Sequence, residues 1–407
     1  FLINVFFIIL IFCLFAILEL FIYLFVNYFK KEFQWLITRD DESPKFNELA
    51  LDNFISSSYD PILGWVRKPN SMGVEKGEKG EIKYFIDSNG SRRIEDNEES
   101  IIASFGDSYT FCRQAEDFET WQYFLSKKIH KKVLNFGVGN YGIDQALIRY
   151  NQVKLDNSIK IVIMGVVPET ICRIHSYWKH YLEFGNTFAF KPRYKIENGK
   201  LRLLNNPMSN KNDFSSLKEK LHMIQDSDDF YNTKFKKYQF RFPYLLSFIR
   251  NFNRNLILFF YLFRVKIYKF FNIFSEQFDS KAFGFVMKQN IFDSHQMYQQ
   301  KDKLELFKSI LLKFNADSKN NNHKPCLLII PQLNDLRIIS ESRASPYKSF
   351  FNEMQNYLDV IDLTEDMLNE DYQSMYIDDV YGGHLSKKGN IFVSRQLSKY
   401  ILDKGLY

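Results

Sequence analysis

Two short segments of this sequence carry side chains that could act together on an acyl group. One is Gly106-Asp107-Ser108-Tyr109-Thr110, and the other runs Asp378-Asp379-Val380-Tyr381-Gly382-Gly383-His384-Leu385-Ser386. A serine nucleophile needs a base to take its proton and donors to hold the oxyanion. Ser108 follows the apolar run Ile101–Phe105, closed by Gly106, and stands where a helix should begin. Backbone N–H groups and the positive end of a helix dipole would then face its surroundings. Of the seven histidines, His384 stands out, because two carboxylates lie just upstream and two glycines let the loop turn tightly. Such a loop could supply a base together with its orienting acid, either Asp379 or Asp378. Asp107 reads as a capping carboxylate beside the nucleophile. Cys112, four residues beyond Ser108, reads as a small buried hydrophobe rather than a reactive thiol.

Stepping strands are needed to bring these segments together. Ile101–Phe105, Val133–Asn135, Ile161–Val167, Cys326–Ile330 and Val360–Asp362 are short apolar runs with the character of buried strands. Helical segments lie between them, at Ile143–Val153, Lys301–Phe314 and Tyr347–Tyr357. Strands alternating with helices predict a parallel sheet covered on both faces. In such sheets, sites form at the carboxyl ends of the strands. Ser108 and the glycine-rich Asn135-Phe136-Gly137-Val138-Gly139-Asn140-Tyr141-Gly142 both follow strand ends.

Together and in this order, these blocks resemble the SGNH (GDSL-type) hydrolase superfamily, over roughly 101–174 and 326–402. The resemblance implies a flavodoxin-like three-layer α/β/α domain and ester or acyl chemistry. It implies Ser108 as nucleophile, His384 as base, Asp379 as the orienting acid, and oxyanion or substrate contacts at Gly139 and Asn140. The family places a glycine where this chain has Asn140, a change that keeps the backbone donor, and Asn tolerates left-handed backbone. The family's Gly-x-Asn-Asp block is missing after the third strand, where the chain reads Gly165-Val166-Val167-Pro168-Glu169-Thr170-Ile171-Cys172-Arg173. The side-chain donor of that block must come from Thr170 or Arg173, or be absent. Two residues usually separate the family's Asp and His, whereas Asp379 leaves four.

The 407 residues, 45% hydrophobic and 25% charged, exclude a disordered or fibrous chain. Four cysteines without a CxxC or paired histidines exclude a disulfide framework and argue against a zinc module. No metal or organic cofactor is indicated. A net charge of +6 is too small and diffuse to argue for nucleic acid.

Aromatic load is concentrated in two stretches. Phe1–Phe29 has one charge, Glu19, and as a helix spans about 43 Å, beyond the ~30 Å that a hydrocarbon layer requires. We read residues 1–31 as a single-pass membrane anchor. Residues 32–100 read as a linker (Arg39–Pro44) and a small β lead-in ending at the surface residues Arg92 and Arg93. Residues 101–407 form the main domain, with 177–300 an aromatic and basic insertion that opens on a hairpin turning at Glu197-Asn198-Gly199. From Lys234 to Ser275 it holds nine basic residues and no acidic one. Either an amphipathic helix in the membrane interface or a packed lid fits that pattern. Trp178, His175 and His180 could line a cleft or simply pack. The reading that follows is a membrane-anchored acyl-ester hydrolase or O-acyltransferase, with its domain at the periplasm or cell surface. Its substrate would be an acylated carbohydrate or lipid. The alternative is a non-catalytic binding or assembly protein of envelope polysaccharide synthesis that keeps the fold.

Overall fold

The computed structural model describes residues 2–77, 80–95, 98–271, 277–377 and 383–405. The chain divides into two compact units, one of residues 52–175, 191–209 and 284–407, the other of residues 1–51, 176–190 and 210–283.

The first unit is built on five parallel strands, β1 (Ser100–Gly106), β2 (Lys132–Asn135), β3 (Ile161–Val166), β4 (Lys324–Ile329) and β5 (Asp359–Asp362). Their spatial order is β2-β1-β3-β4-β5, the order of flavodoxin-like sheets. Every residue of β3 is buried, as expected of a strand with helices on both faces. Helix α1 (Ser108–Phe111) follows β1, α2 (Trp121–Ile129) leads to β2, and α3 (Ile143–Gln152) leads to β3. Later come α4 (Lys301–Asn320), α5 (Leu333–Ser342) and α6 (Lys387–Asp403). On one face Trp121, Leu125 and Ile129 of α2 meet Phe392, Val393 and Leu397 of α6 in a shared core with Ile161, Ile163, Cys326 and Leu328. On the other, Phe105 stacks on Phe136 and meets Tyr150 of α3, which meets Phe314 of α4. The domain is therefore a three-layer α/β/α sandwich.

The lead-in is larger than one strand. Ser71–Gly77 and Gly80–Ile86 form an antiparallel hairpin, and Glu48–Ser57 is a helix. The segment expected to be a solvated linker is folded, since Arg39–Glu42 makes a 3-10 turn whose Asp41 carboxylate accepts from Thr38 N and Lys30. Arg92, expected at the surface, is buried instead. Its guanidinium donates to the carbonyls of Phe111, Cys112 and Ala115 and pairs with Asp117 at 2.6 Å. The loop after α1 leaves carbonyls without helical partners, and this arginine takes them. The hairpin Arg193–Glu197/Lys200–Leu204 turns at Asn198-Gly199, both with positive φ, and belongs to the sheet-bearing unit.

The second unit contains the apolar helix Leu2–Phe29, long and apolar enough to cross a membrane. It also holds helices Tyr244–Arg250 and Phe252–Phe270. Trp178 and His180 pack in its interior. Trp178 stacks on Phe190, and His180 Nε2 lies 3.0 Å from the Asp41 carbonyl while burial lowers its imidazole to about 4.

Candidate active site

Sterics of the backbone place Ser108. A Cβ on Gly137 would come within 2.2 Å of Phe111 N, and one on Gly106 within 2.4 Å of the Gly165 carbonyl. Only glycine lets α1 nest this closely against the ends of β1, β2 and β3. Asp107 caps the helix, its Oδ1 accepting from Tyr109 N at 2.9 Å. Gln122 Nε2 donates to the Thr110 carbonyl at 2.7 Å, closing the other end. Ser108 is thereby presented at the carboxyl edge of the sheet.

His384 comes from the loop before α6. Its Nε2 lies 3.0 Å from Ser108 Oγ. Its Nδ1 lies 3.0 Å from Gln114 Oε1, a residue that sequence reasoning passed over. An amide oxygen only accepts, so Nδ1 carries the proton and Nε2 is free to take the one from Ser108. Asp378 and Asp379, expected as the orienting acid, lie outside the described residues. Tyr109 OH donates to the Gly383 carbonyl, and Ile377 N donates to that of His384 at 2.9 Å. Burial, then the nearby cations Arg113 and Arg173, depress the His384 imidazole to about 3. At neutral pH the ring is uncharged, the form a general base needs.

Gln114 is itself fixed from the lead-in hairpin. Its N–H donates to Glu75 Oε2 at 3.2 Å and its Nε2 to the Lys76 carbonyl at 3.1 Å. Glu75 also pairs with Arg67 and Arg113. Gln114 holds a left-handed φ of 68°, for which a glutamine gives no sequence signal.

The remaining expected residues divide. Asn140 has φ 69° and is exposed; Gly139 precedes it, its carbonyl accepting from Trp65 Nε1 at 3.0 Å. The N–H groups of Ser108 and Asn140 make no hydrogen bond among the described residues, which leaves them available to an oxyanion. Thr170 and Arg173 are committed elsewhere. Thr170 Oγ1 accepts from Ile143 N at the start of α3. Arg173 donates to Asp107 Oδ2 at 3.0 Å, to Glu169 Oε2 at 2.8 Å and to the Tyr141 carbonyl. Burial raises the Asp107 carboxyl, and the Arg173 guanidinium opposes that shift. Arg173 thus holds the capping carboxylate in place beneath the serine. Its i,i+4 pairing with Glu169 could have been read from the spacing. Cys112 is buried and its thiol is pushed up to about 12, which keeps it unreactive.

Beside Gly139 and Asn140 lies a cavity of about 250 Å³ whose walls include Phe54, Trp65, Arg67 and Arg113. Among the described residues no cluster of His, Cys, Asp and Glu could hold a metal ion.

No family model matches the chain, and no curated protein matches it. A solved structure does resemble it. That structure is a lipolytic protein of the G-D-S-L family from Desulfitobacterium hafniense DCB-2, with 12% identity, a TM-score of 0.35, and coverage of 74% of this chain and 99% of the other. At that distance nothing about chemistry passes from one protein to the other.

Proposed function

We propose that this protein is a serine acyl-ester hydrolase or O-acyltransferase, anchored in a membrane by Leu2–Phe29. The observation that carries the reading is the 3.0 Å approach of Ser108 Oγ to His384 Nε2 at the carboxyl edge of a flavodoxin-like sheet. Ser108 Oγ attacks the ester carbonyl while His384 takes its proton. The carbonyl oxygen gains the negative charge, and the N–H groups of Ser108 and Asn140 hold it. As the ester C–O bond breaks, His384 returns the proton to the departing alcohol, leaving an acyl-serine. A second hydroxyl then attacks the acyl carbon and gives its proton to His384; the acyl–Oγ bond breaks, and His384 returns that proton to Ser108 Oγ. Water in that role completes hydrolysis; a sugar hydroxyl completes transfer.

Asp379, or Asp378 beside it, is the proposed orienting acid, with Gln114 as the contact seen at Nδ1. Trp65 and Phe54 next to Arg67 and Arg113 suit a substrate with both a ring face and polar groups, such as an acylated carbohydrate of the cell surface, on the extracytoplasmic side. The test is a fluorophosphonate probe. Labelling at Ser108, lost in Ser108→Ala and His384→Ala, supports the reading. A native protein that resists the probe and cleaves no short acyl ester would instead fit a fold retained for binding.

A further inference from the structure

Helix Leu2–Phe29 is not uniform along its length. Residues 2–18 are exposed on all sides, whereas Ile22, Phe25, Val26 and Phe29 are buried along one stripe. That stripe is covered by helices Tyr244–Arg250 and Phe252–Phe270. Phe25 stacks on Phe259 with ring centres 3.8 Å apart, and Tyr23 meets Tyr244 edge to face. The contact is pinned by the one charge of the apolar helix. Glu19 accepts from Tyr244 N at 2.5 Å and from Leu245 N at 2.7 Å, where the helix Tyr244–Arg250 begins. At the other end Lys266 pairs with Glu32 and lies over the Tyr28 ring. Glu19 is 11 residues before Lys30, about 16 Å along the helix axis.

Helix Phe252–Phe270 is apolar on two sides. Leu258, Phe259, Leu262 and Val265 are buried. Phe252, Leu256, Phe260, Phe263, Ile267 and Phe270 recur every three or four residues, and every one of them is exposed, Phe270 at 82%. Phe242, Leu246 and Ile249 extend the exposed apolar row onto the preceding segment. A helix facing water would carry polar residues there. The exposed charges of this segment are Lys237, Arg241, Arg250 and Lys269, and none is acidic.

We propose that this outward face lies in the headgroup–acyl boundary of the same bilayer that the N-terminal helix crosses, with anionic lipid against its basic residues. The proposal rests on the anchor reading and adds a depth to it. About 20 residues suffice to span the hydrocarbon, and the part of the helix exposed on all sides, the surface a lipid-facing span presents, ends before Glu19. The buried stripe from Ile22 onward then sits at interface level, wrapped by a collar of two helices that shares its lipid surface. An apolar stripe flanked by Tyr261, Tyr268 and Arg264 has the composition of an interfacial helix. Continuity with the apolar helix selects lipid over a second copy of the chain.

The experiment uses the full chain in vesicles of phosphatidylcholine and phosphatidylglycerol. Spin labels are read by collision with oxygen, which concentrates in lipid, and with a water-soluble nickel complex. Native Cys13 is exposed on the apolar helix and reports the anchor, while the other three cysteines are buried. Phe260→Cys and Leu246→Cys, each combined with Cys13→Ser, report the collar, and Glu341→Cys in the same background reports water. The expected result is several-fold stronger relaxation by oxygen than by nickel at 13, 246 and 260, with the reverse at 341. Nickel access at 246 and 260 with Cys13 still in lipid would overturn the collar and leave the anchor standing. Labels at 246 and 260 that meet neither reagent would replace lipid by a second copy of the chain. Nickel access at Cys13 would sink the anchor reading itself.

Discussion

Ser108 is carried at the end of a buried strand on backbone that admits no side chain at two glycines, whereas His384 is carried on a segment that docks through its neighbours Leu385 and Ser386. On the serine side, Gly106 and Gly137 admit no side chain, Asp107 caps the helix, and Arg92 and Gln122 take carbonyls from α1 and the loop beyond it. On the histidine side, among the described residues, Gln114 meets Nδ1, Tyr109 takes the Gly383 carbonyl, Ile377 N donates to the His384 carbonyl, Leu385 is buried in the core and Ser386 N donates to the Met375 carbonyl. Ser108 is thus set mainly by backbone packing, and the ring of His384 is met by a side chain, Gln114, that can be exchanged without touching the strand ends. Substitutions on the first side should cost the chemistry or the fold; those on the second should retune the chemistry.

The largest effect is expected at Ser108, the proposed nucleophile. Ser108→Ala should lower ester turnover by on the order of 10⁶, with the thermal midpoint nearly unchanged because only one small oxygen is removed. His384→Ala should fall to a similar level, and the double variant should be no worse than either. Additive losses, read from kcat of all three proteins, would mean that the two side chains do not work as a unit.

Next comes the acid. If Asp379 orients the imidazole, Asp379→Asn should slow turnover by about 10⁴, and Asp378→Asn far less. The reverse ranking moves the role to Asp378. No effect from either leaves Gln114 as the orienting group of a Ser–His pair.

Bracing on the serine side can be broken without touching a reacting atom. Arg92→Met should cost about 3–5 kcal/mol, because it leaves Asp117 and three carbonyls without their buried cation. Urea unfolding of the variant checks this. A loss below about 1 kcal/mol would show that water replaces the guanidinium and that the loop needs no brace.

The same contrast explains what could be read in the sequence. Strands such as Ile161–Val166 declare themselves because both faces are covered and every position is apolar. The approach of His384 to Ser108 was legible because a serine at a strand end and a histidine in a glycine-rich loop are local patterns. Gln114, Glu75 and Arg92 were not, since their roles come from where a hairpin 38 residues upstream in one case, and a carbonyl 23 residues downstream in another, come to rest. Long-range side-chain contacts of that kind leave no periodicity. The folding of Arg39–Glu42 was hidden for a related reason: a run of charges looks solvated until one carboxylate finds a turn and a lysine.

The finest test concerns the proton on His384. An imidazole depressed to about 3 by burial and by Arg113 and Arg173 stays neutral as a base through mildly acidic pH. For a histidine whose folded pKa lies below its ordinary value, protonation and loss of the base begin only as pH falls toward that lower value. The acid limb of kcat/KM should therefore lie well below 6.5, with nearly constant rate from pH 8 down to about 5. Gln114→Glu would put a carboxylate 3.0 Å from Nδ1 in place of an amide oxygen. A neighbouring anion favours the imidazolium, so the limb should move up by roughly 1–3 pH units. Gln114→Met should leave the limb low while weakening turnover, since nothing then holds Nδ1. A parent enzyme whose limb already stands near or above 6.5 would reveal an anion at the ring during turnover. If Asp379→Asn then drops that limb while Gln114→Glu leaves it unmoved, the orienting group is the aspartate, and the contact to Gln114 belongs to the resting protein alone.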